Sequence, residues 1–146
     1  MLYKASQFIV VFALSIVLLT VHVNAQSTLN DQQETQVQEV IRDQLSAFQN
    51  QDFDRAFFHA GPTIKQIFQT TERFAGMVKN GYAPLYNPES FAFSRSIEQG
   101  GSVYQEVLVT DQTGKQWQAV YTLKQQDDGS WKITGVKMEP TTGAAT

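Results

Sequence analysis

The fold class of this chain is decided by residues 117–138, which read WQAVYTLKQQDDGSWKITGVKM. Large or apolar side chains recur at every second position from Trp117 to Leu123, which is the period of a β-strand with one buried face. The run Asp127-Asp128-Gly129 then predicts a turn into another strand, from Trp131 to Met138. In that strand the apolar side chains change parity, so we expect a β-bulge at Gly135 that returns them to one side of the sheet.

Two further strands precede this stretch. Phe91–Ile97 alternates apolar with small or polar residues, Gly100-Gly101 predicts a hairpin turn, and Val103–Thr110 has the pattern of the next strand. Residues 111–114 supply the turn into the strand that begins near Trp117. The C-terminal half therefore predicts four consecutive antiparallel strands.

The N-terminal half has helical periodicity instead. Across Asp31–Asn50 the apolar residues fall on one stripe of a 3.6-residue repeat, and the opposite face is polar. Asn30 is placed to cap this helix, with Gln33 three residues later to complete a capping box. This stretch predicts the longest helix of the chain.

Three shorter helices and a connector lead from this helix to the sheet. The helices are predicted to begin after Asp52, at Pro62 and at Thr71, each of which suits a helix start. We expect residues 82–88 to run extended, because two prolines disfavour a helix there. Helices followed by an antiparallel meander indicate an α+β fold, with the helices packed on one face of a curved sheet.

The first 25 residues have the organisation of a cleavable signal peptide. Lys4 supplies a positive charge, Phe8–Val21 is an uncharged apolar run of fourteen residues, and Val23-Asn24-Ala25 fits a cleavage site. The run is shorter than the ~20 residues that a membrane-spanning helix needs. We therefore predict an exported protein, periplasmic or secreted, with no membrane attachment after cleavage.

The rest of the chain predicts one domain. We divide it into a polar lead-in at 26–36, a single α+β domain at 37–140 and a flexible tail at 141–146. The chain has no cysteine, which excludes disulfides. Its formal net charge is −3 and it has no run of Lys or Arg, which argues against nucleic-acid binding.

Several stretches of the chain resemble a known family. They are residues 56–64 (AFFHAGPTI), 74–88 (FAGMVKNGYAPLYNP), 105–107 (QEV) and 117–123 (WQAVYTL). Through them, Val37–Pro140 resembles the bacterial family called domain of unknown function 4864, within the nuclear-transport-factor-two-like superfamily. The resemblance implies a cone whose sheet and helices enclose a pocket. It implies no catalytic residues, because the family has no assigned reaction and the wider fold includes isomerases, dehydratases, polyketide cyclases and non-catalytic binding modules.

The candidates for the wall of such a pocket are Tyr82, Tyr86, Arg95, Glu106, Trp117 and Tyr121. Arg95 shares the parity of Phe91 and Phe93, which predicts the inner face, although its long side chain can also keep the charge in water. Glu106 lies in mid-strand, where a pocket would suit it to acid–base chemistry and a solvated face would make it an ordinary strand residue. The aromatic residues can offer polar tips to a ligand, or pack as core.

The sequence contains no recognisable catalytic or metal-binding motif, and we expect no cofactor. His59 is the one histidine left after removal of the leader, and we assign it a structural or surface role. Asp43 and Asp52 are explained as helix-surface and capping residues.

Three functions stay open at this point. The first is a non-catalytic module that binds a small molecule or a protein partner. The second is a cofactor-free lyase or isomerase that uses a pocket carboxylate such as Glu106. The third is a homodimeric interaction protein joined through an exposed face of the sheet.

Overall fold

The computed structural model describes residues 29–141. The predicted signal peptide and the tail beyond Thr141 lie outside the described residues. Within that range, no helix combines the length and the apolar character that crossing a lipid bilayer requires.

Helix α1 spans Asp31–Gln49 and begins with the predicted capping box. Asn30 Oδ1 accepts the backbone N–H of Gln33 at 2.8 Å, and the Gln33 side chain accepts the backbone N–H of Asn30. Residues 31–36, which we included in the polar lead-in and which the helical periodicity also covers, form the first turns of this helix. Its buried apolar side chains are Val37, Ile41, Leu45, Ala47 and Phe48.

Three short helices follow, and they are α2 (Phe53–Phe58), α3 (Pro62–Phe68) and α4 (Thr71–Gly81). Asp52 caps α2 by accepting the backbone N–H of Arg55, and Pro62 occupies the first turn of α3, both as predicted. Thr70 caps α4 in the same way as Asp52 caps α2.

The connector after α4 contains one further helical turn, α5, at Ala83–Tyr86. We predicted extended chain there, and that prediction was wrong. Pro84 falls in the first turn of α5, where a missing N–H breaks no intrahelical hydrogen bond. The turn is closed by the carbonyl of Tyr82, which accepts the backbone N–H groups of Leu85 and Tyr86.

Four strands form one antiparallel sheet in the order β1-β2-β3-β4. They span Ser90–Gln99, Ser102–Thr110, Gln116–Gln125 and Trp131–Pro140. Near the middle of β4, Gly135 pairs with Thr122. The next pair is Ile133 with Leu123, so β4 carries one extra residue at the predicted bulge. Ile133 and Val136 consequently face the same side of the sheet, as expected.

The helices cover one face of this sheet. Gly61 marks a close approach between the two layers, because its N–H donates to the carbonyl of Ile133 at 2.7 Å. A Cβ at position 61 would lie 3.3 Å from that carbonyl oxygen, which explains a glycine there. The sheet residues in the buried core are Val103, Val107, Val109, Ala119, Tyr121, Leu123, Trp131 and Ile133.

Candidate functional site

A cavity of about 330 Å³ lies between the helices and the covered face of the sheet. Strands β3 and β4 form its floor, and α1, α3, α4 and α5 form its walls. Its apolar walls include the side chains of Phe48, Ile64, Phe68, Phe74, Val78 and Leu85. The volume is at the lower end of the range for small-molecule sites, and apolar walls are typical of them.

Three polar side chains of the cavity wall donate hydrogen bonds to backbone carbonyls. Tyr82 Oη donates to the carbonyl of Val136 at 3.1 Å, and Thr134 Oγ1 donates to that of Thr122 at 3.2 Å. Gln44 Nε2 donates to the carbonyl of Ala56 at 3.2 Å. These bonds hold the three side chains in place and use one donor of each.

Tyr121 is the exception among the polar side chains that line the cavity. It lies in the middle of β3, between Gln105 on β2 and Val136 on β4. Its side chain is fully buried, and within residues 29–141 its hydroxyl has no hydrogen-bond partner. Burial raises the pKa of the Tyr121 phenol, so the group is neutral and keeps its proton to donate. The cavity is thus largely apolar, and the Tyr121 hydroxyl is a buried polar group in it with no hydrogen-bond partner among the described residues.

The cavity brings together two of the six predicted wall residues, Tyr82 and Tyr121. Tyr86 lies apart from them and stacks on Phe53, with ring centroids 5.9 Å apart. Trp117 is at another edge of the domain, where its indole N–H donates to Asp111 Oδ2 at 2.9 Å. Both rings pack segments of the chain together.

Arg95 and Glu106 lie on the opposite face of the sheet, away from the cavity. A second bulge explains why Arg95 departs from the parity of Phe93: Phe93 pairs with Val107, but Ser96 pairs with Gln105. Two residues of β1 thus stand opposite Glu106, and Arg95 Nη2 donates to Glu106 Oε1 at 2.8 Å on the outer face. The inward prediction for Arg95 failed because alternation was extended through an unrecognised bulge.

A cluster of Asp43, Arg55 and His59 was not foreseen from the sequence. Asp43 Oδ2 lies 2.5 Å from His59 Nε2, and both carboxylate oxygens accept hydrogen bonds from the Arg55 guanidinium. Burial acts to raise the pKa of Asp43, but the hydrogen bonds from Arg55 and His59 outweigh it and lower the pKa. The cluster joins Asp43 of α1 to Arg55 of α2 and to His59, which directly follows α2 as its C-cap. No periodicity within one element reports a contact between two elements, so the sequence held no signal for it.

Within residues 29–141, no group of three or more His, Cys, Asp or Glu side chains is placed to hold a metal ion. The walls of the cavity are likewise free of charged side chains in the described part of the chain. The site is therefore suited to bind by shape, apolar contact and a hydrogen bond.

A family model described as Domain of unknown function (DUF4864) matches residues 30–146. No curated protein matches the chain. An NTF2-like protein of unknown function from Shewanella baltica OS155 is similar in structure, with a TM-score of 0.54, 14% identity, and 79% of this chain and 100% of that chain covered. A second one, from Silicibacter pomeroyi DSS-3, gives a TM-score of 0.50, 15% identity, and 77% and 99% coverage. Both structures confirm the predicted fold.

Proposed function

We propose that this chain, which belongs to the family Domain of unknown function (DUF4864), is a non-catalytic module that binds a small, largely apolar molecule. The observation that carries the proposal is the cavity of about 330 Å³ between the helices and the sheet. A ligand of about ten heavy atoms that contributes about 0.5 kcal/mol per atom would bind with a dissociation constant on the order of 100 μM.

The competing function, a lyase or isomerase that uses a pocket carboxylate, receives less support. Glu106 was the named candidate, and it lies on the outer face of the sheet with Arg95. The cavity lining in the described part of the chain contains tyrosines but no Asp or Glu. Acid–base catalysis needs a group within hydrogen-bond reach of the substrate proton, and this lining offers no carboxylate for that role.

A homodimer joined through the open face of the sheet would need an apolar surface there. Among the described residues, that face carries one large apolar side chain that is strongly exposed, Leu108. The ion pair of Arg95 with Glu106 is nearby on the same face. The small-molecule hypothesis is therefore favoured over the homodimer.

We further propose that the domain acts outside the cytoplasm, in the periplasm or as a secreted protein. The support is the sequence pattern of residues 1–25, with its charged start, apolar run and cleavage motif. N-terminal mass analysis of the exported protein should find a chain that begins at Gln26. A mature chain that still carries Met1 would contradict this part of the proposal.

A binding assay with a cavity-filling variant tests the ligand proposal. Tetralin, an uncharged bicyclic hydrocarbon of ten carbon atoms, is the probe, and NMR titration of the labelled protein is the measurement. Val136→Phe adds a ring where β4 lines the cavity and should weaken tetralin binding about tenfold or more.

The matched control is Leu108→Phe, which enlarges a residue on the outer face of the same sheet and should leave binding unchanged. Equal affinities of Val136→Phe and the native protein would contradict the proposal. NMR chemical-shift changes upon tetralin addition that are centred on the outer face of the sheet would also contradict the proposal.

A further inference from the structure

We infer that the ligand of the cavity is uncharged and carries a hydrogen-bond-accepting oxygen, such as a carbonyl, that Tyr121 Oη recognises. This inference rests on the proposed function and names the chemical class of the ligand. Three features of the cavity wall support it: the described lining has no charged side chain, its Tyr121 hydroxyl has no partner among the described residues, and two of its backbone carbonyls already accept hydrogen bonds.

The first feature is the absence of charge in the lining. None of the described cavity-lining residues is Asp, Glu, Lys, Arg or His. A charged ligand would lose its hydration on entering and would find no opposite charge in the lining. An uncharged ligand is the one that such a wall accommodates at low cost.

The second feature is the set of donors. The hydroxyls of Tyr82 and Thr134 already donate to carbonyls, and Gln44 Nε2 donates to that of Ala56. Among residues 29–141 the Tyr121 hydroxyl has no acceptor, and the side chain is fully buried. A buried donor without a partner is costly, and a ligand oxygen would remove that cost.

The third feature is the set of backbone acceptors in the wall. The carbonyl of Ile133 accepts the N–H of Gly61 at 2.7 Å, and the carbonyl of Val136 accepts the hydroxyl of Tyr82 at 3.1 Å. A donor group on the ligand would have to share each of these carbonyl oxygens with a hydrogen bond that is already formed. The amide of Gln44 can offer a second contact of either kind. The Tyr121 oxygen can also accept a hydrogen bond, but only an acceptor on the ligand satisfies its buried O–H, and Tyr121 therefore favours a ligand oxygen.

The test compares two ligands that share one skeleton. Tetralin is a hydrocarbon, and 1-tetralone differs from it by one carbonyl oxygen. Dissociation constants for both are measured by NMR titration with the native protein and with Tyr121→Phe, which removes only the hydroxyl. We expect the variant to bind 1-tetralone about fivefold more weakly and to bind tetralin with less than about twofold change.

Two controls complete the design. Tyr82→Phe also removes a hydroxyl from the wall, but one that is already engaged with Val136, so both ligands should change by the same factor. The carboxylate of 1,2,3,4-tetrahydro-2-naphthoic acid has a similar skeleton with a charge, and it should bind the native protein at least about tenfold more weakly than 1-tetralone.

The outcomes separate this inference from the proposal on which it rests. If tetralin and 1-tetralone both bind the native protein but Tyr121→Phe affects them equally, recognition by the hydroxyl is overturned and the binding cavity stands. If the carboxylate binds as tightly as 1-tetralone, the uncharged class is overturned. If neither tetralin nor 1-tetralone binds the native protein, the binding function itself is overturned together with the inference.

Discussion

Replacing Tyr121 with phenylalanine should stabilise the ligand-free protein, although the residue lies in the middle of the core. The substitution keeps the ring and removes a hydroxyl that is fully buried and unpartnered among the described residues. Leaving such a group unsatisfied costs about 1–3 kcal/mol, and the substitution removes this cost. The small void left by the missing oxygen atom offsets part of the stabilisation. We expect a net gain of about 1 kcal/mol, or about 4 °C in Tm for a domain of this size.

Urea and thermal unfolding at pH 7, followed by circular dichroism, measure this change. Tyr82→Phe is the matched control because it removes the same atom from a hydroxyl bonded to the Val136 carbonyl at 3.1 Å. That variant should lose about 1 kcal/mol. A loss of 1 kcal/mol or more in Tyr121→Phe as well would show that the Tyr121 hydroxyl is satisfied, and it would refute the reasoning about the cavity donor.

Two further predictions concern the frame of the domain. Hydrogen bonds to Asp111, the strongest from the Thr113 hydroxyl, lower the pKa of its carboxyl from the ordinary 3.8 to about 2. The ionised carboxylate therefore contributes to folding stability above about pH 4, and this contribution is lost as the pH falls towards 2. Urea midpoints of Asp111→Asn should therefore drop less than those of the native protein between pH 5 and pH 2.5, and an identical drop would contradict this. Gly61→Ala should destabilise the domain by about 1–3 kcal/mol because its Cβ would meet the Ile133 carbonyl at 3.3 Å. Gly76→Ala, which meets nothing within 4 Å inside a helix, should stabilise it by about 1 kcal/mol, and equal urea midpoints for the two alanine variants would contradict the close approach.

Local sequence rules were sufficient for features that depend on neighbouring residues. The capping box of α1 needs only Asn30 and Gln33, three positions apart, and both side chains adopt it. The bulge near Gly135 was predictable because apolar parity changes within one strand, and burying both sets of side chains requires an extra residue. These predictions needed no knowledge of the rest of the fold.

Features that depend on contacts between elements were not predictable in this way. The bulge in β1 leaves no parity break in the sequence, because Arg95 and Ile97 continue the alternation of Phe93 while facing the other side. The hydrogen bond between Asp43 and His59 joins residues on two elements whose packing no local pattern specifies. Such features follow from tertiary packing.

The Tyr121 hydroxyl was predictable only in part. The alternation of β3 predicts that Tyr121 faces the core, and it does. Its hydroxyl has no partner within the described part of the chain, and this depends on the side chains of α1, α4 and β4 that line the same cavity. Those neighbours are known only from the assembled structure. The sequence thus identifies Tyr121 as a core residue, and the structure shows that its hydroxyl has no hydrogen-bond partner among the described residues.

A crystal structure of the protein soaked with 1-tetralone examines the central claim most directly. We predict that the ligand lies between the helices and the sheet, with its carbonyl oxygen about 2.7–3.0 Å from Tyr121 Oη. Two results would contradict the account: 1-tetralone bound only outside the cavity, or a cavity that is filled by its own lining side chains and contains no ligand.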